Sequence, residues 1–333
     1  MDILTQGLLG GVLAQAVAKK EETKLATFIG IFAGIVADAD IFIYSASDPL
    51  FSIEFHRHFS HSLFFIPVGA AIAMALLWPF LHNRISSARL YLYSFFGYSM
   101  SGIIDACTSY GTHLFWPLSD ERVAFNIISI IDPLFTLFLL AALITTLRIK
   151  RQRIAHIGLL FAVTYLCIGY VQLQRAQTMA EGLIASRGHE AVQHIVKPTI
   201  ANLVLWRSAY IHQNRIYVDA IRVGVFADNK LYEGESVEKF SFKQHLPGLS
   251  TSSVLYQDIQ RFTTFSDGYI AFDPRQNNVI GDIRYSMLPI TTTPLWGIVI
   301  NKDKPQEHAD YKFFRDTSAN VRQAFIDMLL GNY

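Results

Sequence analysis

Six apolar stretches follow one another through the first half of the chain, at roughly 3–18, 25–44, 62–81, 90–107, 127–147 and 154–173. A helix that crosses a bilayer needs about 20 mostly apolar residues. The pattern therefore predicts a multi-pass α-helical membrane domain of about six spans over residues 1–173. Acids interrupt it at Asp38 and Asp40 in the second stretch, at Asp105 near the end of the fourth and at Asp132 in the fifth. Residues 1–18 do not read as a cleaved signal peptide, because the lysines follow the apolar run and no positive segment precedes it. After residue 173 the pattern changes to short β-branched runs separated by turn residues. Strands are predicted at 216–225, 268–272, 279–285 and 296–300, with turns at Asp228-Asn229, Asp273-Pro274 and Asn277-Asn278. Val321, Ala324, Phe325, Met328 and Leu329 form one stripe and predict an amphipathic helix over 315–330. Residues 174–333 thus read as a soluble, β-rich C-terminal domain.

Composition agrees with this division. The 333 residues are 51% hydrophobic and 17% charged, against about 25% charged in an ordinary soluble domain. The first 173 residues hold only 22 of the 55 charged side chains. Intrinsic disorder is excluded by the apolar content. The two cysteines make neither a disulfide scaffold nor a Cys-rich zinc site. A net charge of +1 gives no nucleic-acid footprint, which leaves the lipid bilayer as the expected partner. Basic residues favour cytoplasmic loops. Lys19, Lys20 and Lys24, then Arg84 and Arg89, then Arg148-Ile149-Lys150-Arg151-Gln152-Arg153 mark three inside loops. With six spans, the loops 45–61 and 108–126 and the whole of 174–333 are then periplasmic.

Three polar clusters interrupt the apolar region, and this topology puts all of them at the outer face. Asp38-Ala39-Asp40 places two carboxylates at a span end, a costly arrangement unless they are paired or bind a cation. Two solvated acids capping a helix end is the plainer alternative. A spacing of two is not one helix face, so the helix is expected to end or distort there. His56-Arg57-His58-Phe59-Ser60-His61-Ser62 holds three histidines in six residues, ligands suited to zinc, iron, nickel or copper. The alternative is a basic patch at lipid headgroups. On a regular helix His58 and His61 share a face, whereas His56 and His61 lie about 140° apart. The third cluster is Asp105, followed by Thr108-Ser109-Tyr110-Gly111-Thr112-His113. An acid inside an apolar helix is a functional-site candidate, the alternative being a buried carboxylate tied to a neighbouring hydroxyl. Asp132-Pro133, near the outer end of the fifth stretch, reads as a helix-start cap or as a group that supports the site from behind.

At these residues the chain resembles the LexA-binding, inner-membrane metal-dependent hydrolases of YdjM type. The resemblance runs from Met1-Asp2-Ile3-Leu4-Thr5-Gln6 through Gly34-Ile35-Val36-Ala37-Asp38-Ala39-Asp40, the His56–Ser62 motif, Asp105-Ala106-Cys107-Thr108, Phe115-Trp116-Pro117 and Ile131-Asp132-Pro133-Leu134. In the second half it includes Leu205-Trp206-Arg207 and Gly281-Asp282-Ile283-Arg284-Tyr285. It implies a metal site in which the Asp-x-Asp pair is Asp38 and Asp40, the His-Arg-x-x-Ser/Thr-His pattern is His56, Arg57 and His61, and the later acid is Asp105. It selects His56 over His58. Three positions depart from the pattern: Ala37 replaces a proline, Gln6 a frequent histidine, and Ser101-Gly102 a frequent Thr-His pair.

Together these readings give an expectation of a membrane-bound hydrolase with a divalent metal, zinc first, held by Asp38, Asp40, His56, His61 and Asp105. Asp105 and Arg57 are the catalytic candidates, Arg57 as the holder of a substrate anion such as a phosphate, with a lipid-headgroup anchor as its alternative role. Such a metal lowers the pKa of a bound water toward about 7. A site near the headgroup layer points to a lipid or envelope ester. The competing expectation is a transporter or envelope-stress factor with a structural metal site. Against the transporter, the ionisable residues gather at one face and no inverted repeat is visible.

Overall fold

The first helix, α1 (Ile3–Val17), begins at Asp2, whose carboxylate accepts from the Thr5 backbone N–H at 3.0 Å and from its hydroxyl at 2.6 Å. A computed structural model describes residues 1–224 and 228–333. α2 (Thr23–Val36) passes into a 3₁₀ turn at Ala37–Phe42. After α3 (Phe51–Phe55) come α4 (Ile66–Leu81), α5 (Ser87–Ser99) and α6 (Ser101–Ala106). α7 (Pro133–Ile149) is capped by Asp132, which accepts from the Phe135 N–H at 3.1 Å and from the Tyr165 hydroxyl at 2.8 Å. α8 (Gln152–Ser186) is 35 residues long.

Three helical segments among the described residues are long and apolar enough to cross a membrane: Lys20–Phe42, Leu63–Leu81 and Gln152–Ser186. The six spans expected from the apolar pattern are not supported. α1 and α7 are apolar but 15 and 17 residues long, about 22 and 26 Å at 1.5 Å per residue against a hydrocarbon core of roughly 30 Å. The stretch 90–107 is divided, because α5 stops at Ser99 and the chain restarts as the six-residue α6. Backbones in this region touch through glycine. A Cβ on Gly10 of α1 would lie 2.5 Å from the Gly30 carbonyl of α2 and 2.7 Å from that of Gly97 in α5. Close packing of this kind supplies the association that apolar surface alone does not supply in lipid.

The remainder is built on two antiparallel four-stranded sheets. The first is a meander of β1 (Gln193–Pro198), β2 (Leu205–His212), β3 (Arg215–Arg222) and β4 (Lys230–Glu238). Gln213 and Asn214, both at positive φ, make the tight β2–β3 turn. After α9 (Phe242–His245) and α10 (Val254–Phe265), the second sheet runs β5 (Ile270–Asp273), β6 (Gln276–Asp282), β7 (Trp296–Val299) and β8 (Asp310–Phe313). The chain then forms α11 (Ala319–Leu330). The four strands expected from sequence are β3, β5, β6 and β7; Val225, the predicted end of the first, lies outside the described residues. β1, β2, β4, β8 and α10 carried no signal that the pattern reading used.

The chain divides into one unit of Met1–Ile43, Phe55–Val171 and Ile200–Leu203, and a second of Tyr44–Glu54, Gln172–Thr199 and Val204–Tyr333. The main boundary falls close to the composition shift at 173/174. Two short segments are exchanged across it, which composition does not announce. In the second unit, Leu50 and Ile53 pack with Leu255, Ile259 and Phe262 of α10 and with Ile280 and Ile298 of the second sheet.

Candidate metal centre

Asp38 and Asp40 both sit on the 3₁₀ turn that ends α2, and both are buried. At three residues per turn, positions two apart diverge by about 120°, so the two carboxylates face opposite sides of one imidazole. Asp38 Oδ1 is 3.2 Å from His61 Nε2, and Asp40 Oδ2 is 3.2 Å from His61 Nδ1. Asp105, on α6, brings Oδ2 to 3.1 Å from the same Nε2. Ligand atoms of Asp38, His61 and Asp105 all lie within 4.8 Å of one another, and all three residues are buried. Gln6 of α1 extends its amide to the group, with Nε2 3.0 Å from Asp105 and 3.5 Å from Asp38.

Asp40 belongs to a second layer. It accepts from Ser60 Oγ at 2.7 Å and from the Arg57 backbone N–H at 2.8 Å, and meets His56 Nδ1 at 2.9 Å. The five-residue ligand set expected from sequence therefore resolves into Asp38, His61 and Asp105 around a common point, with Asp40 and His56 behind the ring of His61. His58 turns away: its ring centroid is 4.5 Å from His113 and 5.7 Å from Trp116. Burial pushes the His58 imidazole below its ordinary pKa, and pushes His113 down to about 4.

Arg57 takes positive φ and carries its buried guanidinium back under the site. Nε lies 3.1 Å from Asp105, Nη1 donates to Thr108 Oγ1 at 3.3 Å, and Nη2 donates to the Met1 carbonyl at 3.2 Å. Asp105 also pairs with the Met1 amino group. In this arrangement Arg57 braces Asp105, which differs from the substrate-holding role expected of it. The sequence placed Ser60 inside the His-Arg-x-x-Ser/Thr-His pattern and Thr108 among the hydroxyls near Asp105 without assigning either a contact at the site, and it did not mark Tyr98 at all. Tyr98 donates to the Ser60 carbonyl at 2.6 Å, and a hydroxyl beside a histidine was the available signal for Ser60.

The donor set fits a cation. Ser60 has one proton, and it goes to Asp40; its oxygen, 2.9 Å from His61 Nδ1, therefore accepts from that nitrogen. His61 is thereby held with Nδ1–H, and its Nε2 lone pair faces two carboxylates. Only a proton or a metal ion between them makes that arrangement favourable. Gln6 Oε1 is buried with no hydrogen-bond partner among the described residues, and an amide flip would turn that oxygen toward the same point. In the second unit Asp48, Asp258 and His308 also lie within ligating reach. Arg261 already pairs with Asp48 at 2.9 Å, Glu54 at 2.7 Å and Asp258 at 3.1 Å, so a cation occupies that cluster.

No curated protein and no solved structure matches the chain. Residues 1–176, more than half of the 333, match the family model described as YdjM inner membrane protein, and the chain belongs to that family.

Proposed function

We propose that this inner membrane protein is a metal-dependent hydrolase acting on an ester or phosphoester at the outer face of the membrane. The observation that supports it most is the convergence of Asp38, Asp105 and His61 Nε2 on one buried point, with Ser60 and Asp40 occupying Nδ1 on the other side of the ring. These three residues would hold a divalent ion, zinc being the first candidate for an imidazole and carboxylate set. When bound, such an ion supplies Lewis acidity and an acidified water. The chain's own groups do the rest. Asp40 and Ser60 fix the His61 ring, as a carboxylate behind a ligating histidine does. Arg57 holds Asp105 in place from below. His56, with Nδ1 2.9 Å from Asp40, steadies that carboxylate from the side of His61 away from the ion.

The test is metal analysis of detergent-purified protein together with a panel of phosphoester and carboxyester substrates. We expect one equivalent of divalent metal and turnover of at least one ester, both lost in Asp38→Ala, His61→Ala and Asp105→Ala. Near-stoichiometric metal in all three variants, or no turnover by the loaded wild type, would overturn the reading. The sidedness is part of the proposal. An alkaline phosphatase fused after Tyr333 should be active, and an inactive fusion that is active when placed after Arg151 would invert it.

A further inference from the structure

An apolar recess of about 560 Å³ opens beside the carboxylates, within the first unit. Its polar lining is confined to Asp38, Asp40, Ser60 and Tyr98. The remaining walls are apolar and come from α1, α2, the turn after α2, the His56–Ser62 segment and α4, with Phe32, Ile72 and Leu76 among them. The volume falls in the range of sites that enclose small molecules, about 300–1,000 Å³. Its position separates it from an ordinary aqueous active site. α2 and α4 belong to two of the segments long enough to cross a membrane, and the rim residues Ile72, Leu76 and Phe42 are 43%, 53% and 76% exposed. One end of the recess therefore opens toward hydrocarbon, and the other ends on carboxylates beside His61. Water has little to bond to along such walls, and a polar substrate has no partner there before it reaches Asp38.

We infer that the substrate is an amphiphile whose aliphatic chain lies between α2 and α4, with its ester or phosphoester group at Asp38, His61 and Asp105. This rests on the hydrolase reading for the head of the molecule; the placement of the tail rests on the recess alone. The tail enters sideways from the bilayer, so the scissile group never leaves the headgroup layer. Gly69 of α4 lets the Tyr98 ring lie directly against that helix in the recess wall, since a Cβ there would meet the ring at 2.2 Å.

The probe is a dodecyl phosphate carrying a diazirine at the chain end, added to zinc-loaded full-length protein in phosphatidylcholine nanodiscs. Cross-links should concentrate on peptides of residues 32–43 and 66–76. Unlabelled dodecyl phosphate should remove them and methyl phosphate should not. Ile72→Trp and Leu76→Trp fill the recess from its lipid side, away from the metal-binding groups. Each should keep its zinc and lose labelling by about tenfold, equivalent to roughly 1.4 kcal/mol of binding. Labelling spread evenly over α4, α7 and α8, with no competition, would mean annular lipid and overturn the inference. So would a disulfide-linked dimer of Leu76→Cys without probe labelling, which assigns the recess to a second copy. The two readings fail separately. Recess labelling with no ester cleaved leaves a lipid site without a hydrolase, whereas cleavage of soluble esters with no recess labelling leaves a hydrolase of another substrate class.

Discussion

Gln6 stands where the family resemblance puts a histidine, and its amide reaches both Asp38 and Asp105. An imidazole is a far better ligand for a zinc-like ion than a neutral amide. Gln6→His should therefore raise metal affinity at least about tenfold, a gain of roughly 1.4 kcal/mol, read by competition with a chelator. Unchanged or weaker binding would show that residue 6 does not face the ion. Lys197, in the second unit, is a different kind of buried group. It lies opposite Arg207 in the β1–β2 register, with Nζ 3.7 Å from the centre of the Tyr285 ring and no hydrogen-bond partner among the described residues. Unfolded, a lysine keeps its proton to about pH 10.4; folded, burial pushes this one well below that. The unfolded state thus binds more protons through the interval, and wild-type stability rises with pH across it. Lys197→Met should stabilise the second unit near neutral pH by about 1–3 kcal/mol, the cost of an unmade buried bond. Thermal melts at pH 7 and above pH 10.5 check this, since the advantage should shrink at the higher pH. A lower melting temperature at pH 7 would mean that the amine has a partner.

At the scale of elements, the site depends on two interruptions of helices. α2 tightens into a 3₁₀ turn, which sends Asp38 and Asp40 to opposite sides of His61. The fourth apolar stretch breaks at Met100 so that α6 can bring Asp105 in. α6 is positioned by Gly102, where a Cβ would lie 1.8 Å from the His61 carbonyl oxygen. The Thr-His pair of the family pattern falls on Ser101-Gly102, and at residue 102 no side chain fits this packing. Ser101 instead donates to the Gly34 carbonyl at 3.1 Å. Gly102→Ala should drive α6 and the His61 segment apart and reduce bound metal to well under one equivalent, while the spans still insert. Metal analysis beside circular dichroism distinguishes the two effects, and wild-type metal content in this variant would contradict the close contact.

At the scale of the whole molecule, the segment Tyr44–Glu54 is the feature that the linear description hides. It joins Asp40 to His56, yet it folds as part of the second unit. Arg261 holds it there by pairing with Asp48 and Glu54 while also meeting Asp258. Arg261→Ala would leave Asp48, Glu54 and Asp258 without their shared guanidinium, with only His308 remaining against Asp258. Hydrogen exchange across 44–54 should then accelerate at least about tenfold, equivalent to roughly 1.4 kcal/mol of lost protection, and metal affinity should fall with it because both ends of the segment carry site residues. Unchanged exchange would mean that the apolar anchors Leu50 and Ile53 suffice. The sequence by itself determined what is local. Runs of apolar residues located the membrane region, β-branched runs located four of the eight strands among the described residues, and ionisable residues in apolar surroundings singled out Asp38, Asp40, His56, His61 and Asp105 as candidates, because each of these signals depends on near neighbours in the chain. The tertiary structure decided the rest: which side of His61 each carboxylate takes, why His56 meets Asp40 while His58 lies tilted against His113, that Gln6 and Ser60 lie beside these groups, and that fewer helices than apolar stretches among the described residues reach spanning length. Those outcomes follow from helix breaks at Val36 and Met100 and from contacts between residues up to about a hundred positions apart, as between Gln6 and Asp105, and no local periodicity encodes them.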